Sequence, residues 1–411
     1  VRTRYRRKWT APLALLACGS LLLSGCADFD NTAAGQKFTQ VNPPSPESPP
    51  QVGPGGDAGD SGPGGPGGRG NGQNQTPTPV PPPQGCKDFD KAVIATCLDT
   101  VAAVAAIPGD GTAPSALAGE RKSGRILLAA AGKDPAAWAT IPVDGSGDGG
   151  LTSLALSPGF AEDQLVFAYI TTPTDNRLVR LAKGQAPKPV LTGIPKGASG
   201  NRGAIGTDGK GALLVATGDA GNPGLAADPA SLAGKVLRVD TSGKPAPGNP
   251  TAGSAVFSTG VHSPGAICRD QAGSRIWLTD RLADKDVLHR LRAGQPLTTP
   301  AWSWPDKPGV AGCADFVAAS GYLAVATSIA GNLQHLPVTP DGAVTGKPSV
   351  TLDGKTGKPP KTFGRLSSMS MINPQIALVG TINKDGGTPV SSDDRLVIIT
   401  PAASAGGSGK D

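Results

Sequence analysis

Residues 148–181 read "DGGLTSLALSPGFAEDQLVFAYITTPTDNRLVRL". Three apolar runs, at 151–157, 164–171 and 177–181, are separated by "PGFAED" and "TPTDN". The runs are too short for sustained helices. Gly, Pro, Asp and Asn bound them, so they predict strands joined by tight turns. The same texture extends from about Asp99 to Pro401, through "RILLAAA", "ALLVATG", "KVLRVD", "RIWLTD", "YLAVATS" and "QIALVGT". Few stretches could hold a helix of more than two turns. About three hundred residues of such strands exceed one simple sandwich, whereas six four-stranded blades of roughly fifty residues each need this length. The chain shows no sharp internal repeat, so the blade count follows from length and strand spacing. We expect an all-β, six-bladed β-propeller of four-stranded antiparallel blades over residues 86–403. Its closure is expected to pair a strand near "TVAAVAAI" (100–107) with "RLVIIT" (395–400).

The ends of the chain have a different composition. Arg2, Arg4, Arg6, Arg7 and Lys8 precede an apolar stretch from Ala11 to Leu23, which ends in Leu23-Ser24-Gly25-Cys26. A basic segment, a short apolar segment and small residues before a cysteine predict a lipoprotein signal peptide over 1–25. Acylation of Cys26 would then anchor the chain to the outer face of the cell membrane. Residues 26–85 are a Pro/Gly-rich tether that cannot bury enough apolar surface to order itself, and 404–411 read as a disordered tail. The chain carries 38 Lys and Arg against 32 Asp and Glu. Without the five basic residues of the signal the balance is +1, which argues against a nucleic-acid partner. The partners expected are the membrane, through Cys26, and a carbohydrate or envelope protein.

Cys86, Cys97, Cys268 and Cys313 remain outside the signal and anchor, an even number suited to an oxidising compartment. Four cysteines permit three pairings. We expect Cys86 with Cys97, closing a short loop where tether meets domain, and Cys268 with Cys313. Residues 145–150 fit G-x-G-x-x-G but open a strand rather than a helix, so they are not a dinucleotide fingerprint. The chain has no H-E-x-x-H, G-x-S-x-G or phosphate loop, and His262, His289 and His335 are its three histidines. No metal site is expected from the residues themselves.

The Gly/Asp motifs, read together, resemble the glucose/sorbosone dehydrogenase family, soluble quinoproteins that use pyrroloquinoline quinone. "DGGLTSLALSPGFAEDQLVFAYIT" (148–171) matches its Gly-Gly-Leu turn and two following strands. "TGDAGN" (217–222) with "DPASLAGKVLRVD" (228–240) matches its third-blade signature. "VFSTGVHSPGAICRD" (256–270) and "RIWLTDR" (275–281) resemble the fourth blade, and "FGRLSSMSMINPQIALVGT" (363–381) the last. A full-length likeness to actinobacterial lipoproteins of the LppZ type rests on the anchor, the proline-rich tether, "TPTDNR", "GIPKGA" and "WPDKPGVAGC".

The resemblance implies a histidine base that takes a sugar hydroxyl proton, oriented by the aspartate of "GD". Asp219 is that aspartate, but the histidine's place falls at about Ala198. The family's "GHRNPQG" reads "GVHSPGA", placing His262 and Ser263 where an arginine and an asparagine meet the quinone. Backbone oxygens that hold the cofactor's calcium are replaced around Leu282 and Ala283. Arg365 matches one of two last-blade arginines, Ser367 stands at the other, and Asp148 stands where a glutamine or glutamate is usual. By resemblance, Asp148, Arg202, Ser263 and Arg365 are candidate contacts for pyrroloquinoline quinone with calcium, and Asp219 and His262 are candidate catalytic residues. Asp219 reads first as a structural corner that ties adjacent strands, and Trp302 and Trp304 can stack on a ligand or pack between blades. Two readings follow. In the first, which the missing base and the altered cofactor positions favour, a degenerate, non-catalytic propeller of the cell envelope binds a ligand or protein. In the second, a quinone-dependent oxidoreductase acts on aldoses or related alcohols with His262 as base.

Overall fold

The computed structural model describes residues 80–401. The expected signal peptide, Cys26, nearly all of the expected tether and the expected 404–411 tail lie outside the described residues. After β1 (Val93–Ala95), blade one comprises β2 (Val101–Ala106), β3 (Ser115–Glu120), β4 (Arg125–Ala130) and β5 (Lys133–Thr140). Blade two holds β6 (Leu151–Leu156), β7 (Val166–Thr171), β8 (Asn176–Leu181) and β9 (Lys188–Ile194), with α1 (Phe160–Asp163) between its first two strands. Blade three is β10 (Gly203–Thr207), β11 (Leu213–Thr217), β12 (Lys235–Val239) and β13 (Val256–Thr259), with α2 (Pro223–Ala227) after β11. Blade four is β14 (Pro264–Arg269), β15 (Ile276–Arg281), β16 (Asp286–Arg290) and β17 (Trp302–Trp304). Blade five is β18 (Val310–Phe316), β19 (Tyr322–Thr327), β20 (Leu333–Pro337) and β21 (Ser349–Thr351), with α3 (Val317–Ser320). Blade six joins β22 (Leu366–Asn373), β23 (Ile376–Thr381) and β24 (Leu396–Ile399) to β1. The result is a six-bladed antiparallel β-propeller, as expected from the strand runs.

The apolar runs are continuous because each blade buries both faces. In β7, Val166, Ala168 and Ile170 enter the core between blades one and two, while Phe167 and Tyr169 enter the core between blades two and three. The same logic corrects the expected closure. "TVAAVAAI" is β2, the innermost strand of blade one, with Val101 and Val104 packed toward blade six and Ala103 and Ala105 toward blade two. A run apolar on both faces belongs inside the ring. The partner of β24 is instead β1, through Val93↔Val397 and Ala95↔Leu396.

Two disulfides form as expected, Cys86–Cys97 and Cys268–Cys313. The second links β14 to β18, innermost strands of neighbouring blades, across a sequence separation of 45. The chain-entropy relation assigns such a loop about 3–4 kcal/mol. Cys268→Ser with Cys313→Ser should therefore lower unfolding free energy in urea by that amount. An unchanged midpoint would show that the bond constrains nothing. A second tie between these blades is ionic. Asp315 accepts Arg275 Nε at 3.0 Å, Arg275 Nη2 at 3.1 Å and Trp277 Nε1 at 3.0 Å. Trp302 and Trp304 pack edge to face at 6.4 Å, with Trp304 buried in the same inter-blade core. They belong to packing.

Candidate active site at one end of the channel

All six innermost strands run the same way along the ring. Val104 and Ala106 of β2 donate to Ser368 and Ser370 of β22 in constant offset, and Gly203 and Ile205 of β10 donate to Thr152 and Ser153 of β6 in the same chain order. Residues that precede innermost strands therefore share one end of the channel with residues that end or follow second strands. Asp148, Arg202, His262, Ser263 and Arg365 belong to the first group, and Arg121, Asp219 and Arg281 to the second. The fold gathers them at one mouth.

The loop after β11 is built to deliver Asp219. Lys235 is fully buried, and its ammonium donates to the carbonyls of Leu225, Ala226 and Ala233 at 2.6, 3.2 and 2.8 Å. Thr217 Oγ1 donates to Leu232 O at 2.7 Å, and the Asn222 side chain caps α2 by accepting from Gly224 N at 3.1 Å. Gly234, at φ 67°, has Ala226 so close that a Cβ would stand 2.4 Å from its Cα. "GLAADPASLAGK" is thus a clip around one ammonium, which rigidifies the corner ahead of it.

Asp219 has a partner. Its Oδ2 lies 3.0 Å from His262 Nδ1, its backbone N–H donates to His262 O at 2.9 Å, and its Oδ1 accepts from Gly221 N at 2.9 Å. The expectation that its histidine is missing is corrected here. The imidazole arrives from blade four instead of from position 198, where an exposed Ala198 stands. The hydrogen bond from Asp219 raises the His262 pKa above its ordinary value, against the opposing effect of burial. With Nδ1 committed to a carboxylate, the neutral ring presents Nε2 as acceptor. No described residue bonds Nε2, and the side chain is 30% exposed.

Beneath this pair lies Asp280, fully buried. Its carboxylate accepts the backbone N–H groups of His262 at 2.9 Å, Ser263 at 2.6 Å and Arg281 at 2.9 Å. Burial pushes its pKa up to about 6, although those three donors oppose the shift.

Four arginines complete the mouth. Arg121 is spent on structure, donating to the carbonyls of Gly145, Gly147 and Gly149 and to Asp385 at 2.9 Å. Arg281 binds Val310 O, Gly309 O and Ser328 Oγ. Burial, then the neighbouring Arg202, pulls it down to about 9, with Arg365 acting in the same sense. A guanidinium stays charged at any working pH, so the depression reflects first the cost of burying that charge and then its crowding by Arg202 and Arg365. Arg202 Nε and Arg365 Nε are buried with no partner among the described residues. Burial also holds Arg202 below the usual arginine range. Buried donors without acceptors are costly and call for an explanation. An anion supplies one.

A family model for "Glucose / Sorbosone dehydrogenase" matches residues 103–306, which span most of blades one to four. The chain is a glucose/sorbosone dehydrogenase-like propeller. It is 29% identical to a PQQ-bound aldose sugar dehydrogenase from Streptomyces coelicolor, at TM-score 0.65, covering 78% of this chain and 99% of that one. A putative oxidoreductase from Thermus thermophilus, described as a glucose dehydrogenase, gives 29% identity and TM-score 0.64, over 75% of this chain and 98% of that one. The Escherichia coli aldose sugar dehydrogenase YliI is 25% identical over 206 residues, 45% of this chain and 52% of the relative. The chain thus spans about half the length of that curated relative.

Within this glucose/sorbosone dehydrogenase-like propeller, two candidate positions are used differently from what the resemblance implies. Asp148 accepts from Gly200 N at 3.0 Å, from Asn201 N at 3.2 Å and from Asn201 Nδ2 at 3.2 Å, so it clamps the turn that carries Ala198. Ala283 O, where calcium-binding oxygens would be sought, accepts Lys307 Nζ at 2.7 Å. The Lys307 ammonium thus stands on an oxygen that a calcium ion would need. Arg121, Lys235, Asp280 and Arg281 are site residues that motif reading misses. For Lys235, Asp280 and Arg281 the sequence signal is a charge inside an apolar strand run, as in "RIWLTDR" and "AGKVLRVD", whereas Arg121, in "GERKSG", follows its strand.

Proposed function

We propose that this chain is an oxidoreductase of the quinone-dependent sugar dehydrogenase class, with His262 as general base and Asp219 as its orienting carboxylate. The Asp219–His262 hydrogen bond carries this reading. It restores, from a neighbouring blade, the base–carboxylate pair whose usual position is vacated by Ala198. His262 Nε2 accepts the hydroxyl proton of an aldose or related alcohol, while Asp219 fixes the tautomer and stabilises the imidazolium that forms. The unpartnered Nε groups of Arg202 and Arg365 fit a polycarboxylate such as pyrroloquinoline quinone. When bound, that cofactor accepts the hydride equivalent from the substrate carbon. The residues around Leu282 and Ala283 do not fit calcium, because Lys307 already holds the Ala283 carbonyl.

Purified protein, titrated with the quinone and then assayed for dye reduction with aldoses, tests this. Quinone binding with turnover supports the oxidoreductase. Binding without turnover favours the non-catalytic module, the reading to which the exposed Ala198 points. No binding in either metal-free or calcium-containing buffer overturns the cofactor assignment. We further propose that Cys26 is acylated and holds the propeller outside the cytoplasm. Cys26→Ala should then release the protein from the membrane fraction, and retention with normal processing would sink the anchor.

A further inference from the structure

Each innermost strand begins opposite the end of its blade's second strand, and outside blade two, where the apolar Ile170 faces Leu151, the residue facing that first position is polar. In blades three, five and six it is a threonine: Thr217 opposite Gly203, Thr327 opposite Val310, Thr381 opposite Leu366. Their hydroxyls close the local turns, Thr217 to Leu232 O, Thr327 to Asn332 O and Thr381 from Arg395 N. A neutral hydroxyl is therefore enough for the fold. In blade four the equivalent residue, opposite Pro264, is Asp280. Blade one also carries a carboxylate, Glu120 opposite Val101, but Arg125 pairs with it at 3.5 Å. Asp280 has no cationic side chain in contact among the described residues; three backbone N–H groups hold it. Burying a carboxylate without a counter-ion is unfavourable. The chain tolerates that cost in the blade that presents His262.

We propose that Asp280 is the positioning residue of the site: its buried carboxylate fixes the His262–Ser263 turn against Asp219 and the Arg281 backbone against the same anchor. The inference rests on the reading of His262 as base. One carboxylate sets the distance between the imidazole and the Arg281 guanidinium, which meets blade five through Gly309, Val310 and Ser328. Its negative charge also lies under the ring that becomes cationic when it takes a proton, a fixed electrostatic support for that state. The other ionisable groups packed around it are Asp219 from the loop after β11, Arg281 on its own strand, and Asp286 and His289 on the adjacent β16.

Asp280→Thr is the informative variant, since it copies the solution of three other blades and should fold. His262 is followed by NMR in the cofactor-free protein, its ring signals assigned by their loss in His262→Gln. In Asp280→Thr the His262 pKa should fall, and the amides of His262 and Ser263 should exchange with solvent at least tenfold faster. In quinone-loaded protein, kcat should drop about ten- to a hundredfold with little change in KM, as for loss of a supporting partner. An unchanged His262 pKa and unchanged amide exchange overturn the proposal. If Asp280→Thr does not fold, the wild-type amides of His262 and Ser263 decide: their shifts should follow one shared carboxylate titration, and flat curves overturn the proposal. Wild-type protein that shows the NMR behaviour but no dye reduction supports the positioning role while removing the oxidoreductase reading.

Discussion

His262→Ala, loaded with quinone, is expected to lose about 10²- to 10⁴-fold in kcat, the usual contribution of a positioned base. Its melting temperature should move little, because the ring is half-buried and bonded through one nitrogen to Asp219. The pH dependence supplies the sharper check. Asp219 raises the His262 pKa from its ordinary 6.5, so the neutral, proton-accepting ring becomes dominant only above that value. The wild-type rate should rise as pH increases through the raised pKa. Asp219→Asn should move this limb to lower pH and also lower the plateau, since an amide can hold the wrong tautomer. The linkage runs the opposite way for stability. The ion pair favours the folded state below the unfolded pKa and stops contributing as pH rises through the folded one. A His262→Ala protein with wild-type turnover and the same acid limb would place the base elsewhere.

Asp315→Ala should be the most damaging single change to the ring, lowering unfolding free energy by about 3–5 kcal/mol, as expected for breaking a buried ion pair. The Asp315 side chain is completely buried and that of Arg275 is 9% exposed. Removing the carboxylate leaves the guanidinium with Asp270 at 3.7 Å as its remaining anion. Trp277 Nε1 and the Val317 amide lose their acceptor as well. Replacing both charges, Arg275→Met with Asp315→Leu, should recover only part of the loss, because those two neutral donors stay unpaired. Urea titrations of the three variants measure this. A double variant no better than Asp315→Ala would mean that the neutral donors, not the ion pair, carry the energy.

The fold was legible because a blade buries both faces of its strands. "QLVFAYIT" and "ALLVATG" therefore announce themselves as short continuous apolar runs between turn residues. The same property misled the closure: "TVAAVAAI" is the most apolar run near the start and belongs to the interior, while the closing "VIA" of β1 is short and partly exposed. The even count of cysteines made disulfides legible, and the short Cys86–Cys97 loop singled out one of the three possible pairings. The site was legible only in part. Asp219 and His262 are 43 residues apart and on different blades, and no spacing rule links them. Reading by family position put the base at 198 and left Asp219 without a partner. Asp280 and Lys235 fall inside the "RIWLTDR" and "DPASLAGKVLRVD" stretches, but those stretches assign neither residue a role. Their significance comes from burial, which a strand run containing one charge hints at but does not locate.

The pairing of β1 with β24 makes the propeller a loop whose first and last pieces are the same sheet. About three hundred residues separate Val93 from Val397, and closing so long a span is entropically unfavourable until nearly every other contact is in place. Blades one to five can order as the chain emerges, but blade six stays incomplete until its final strand arrives. Until then β1 has no hydrogen-bonding partner and β23 presents an open edge, the kind of surface that recruits other chains. A polypeptide cut short before residue 396 should therefore fail as a whole and not as a missing blade. Left unfolded, it would be open to proteolysis and aggregation.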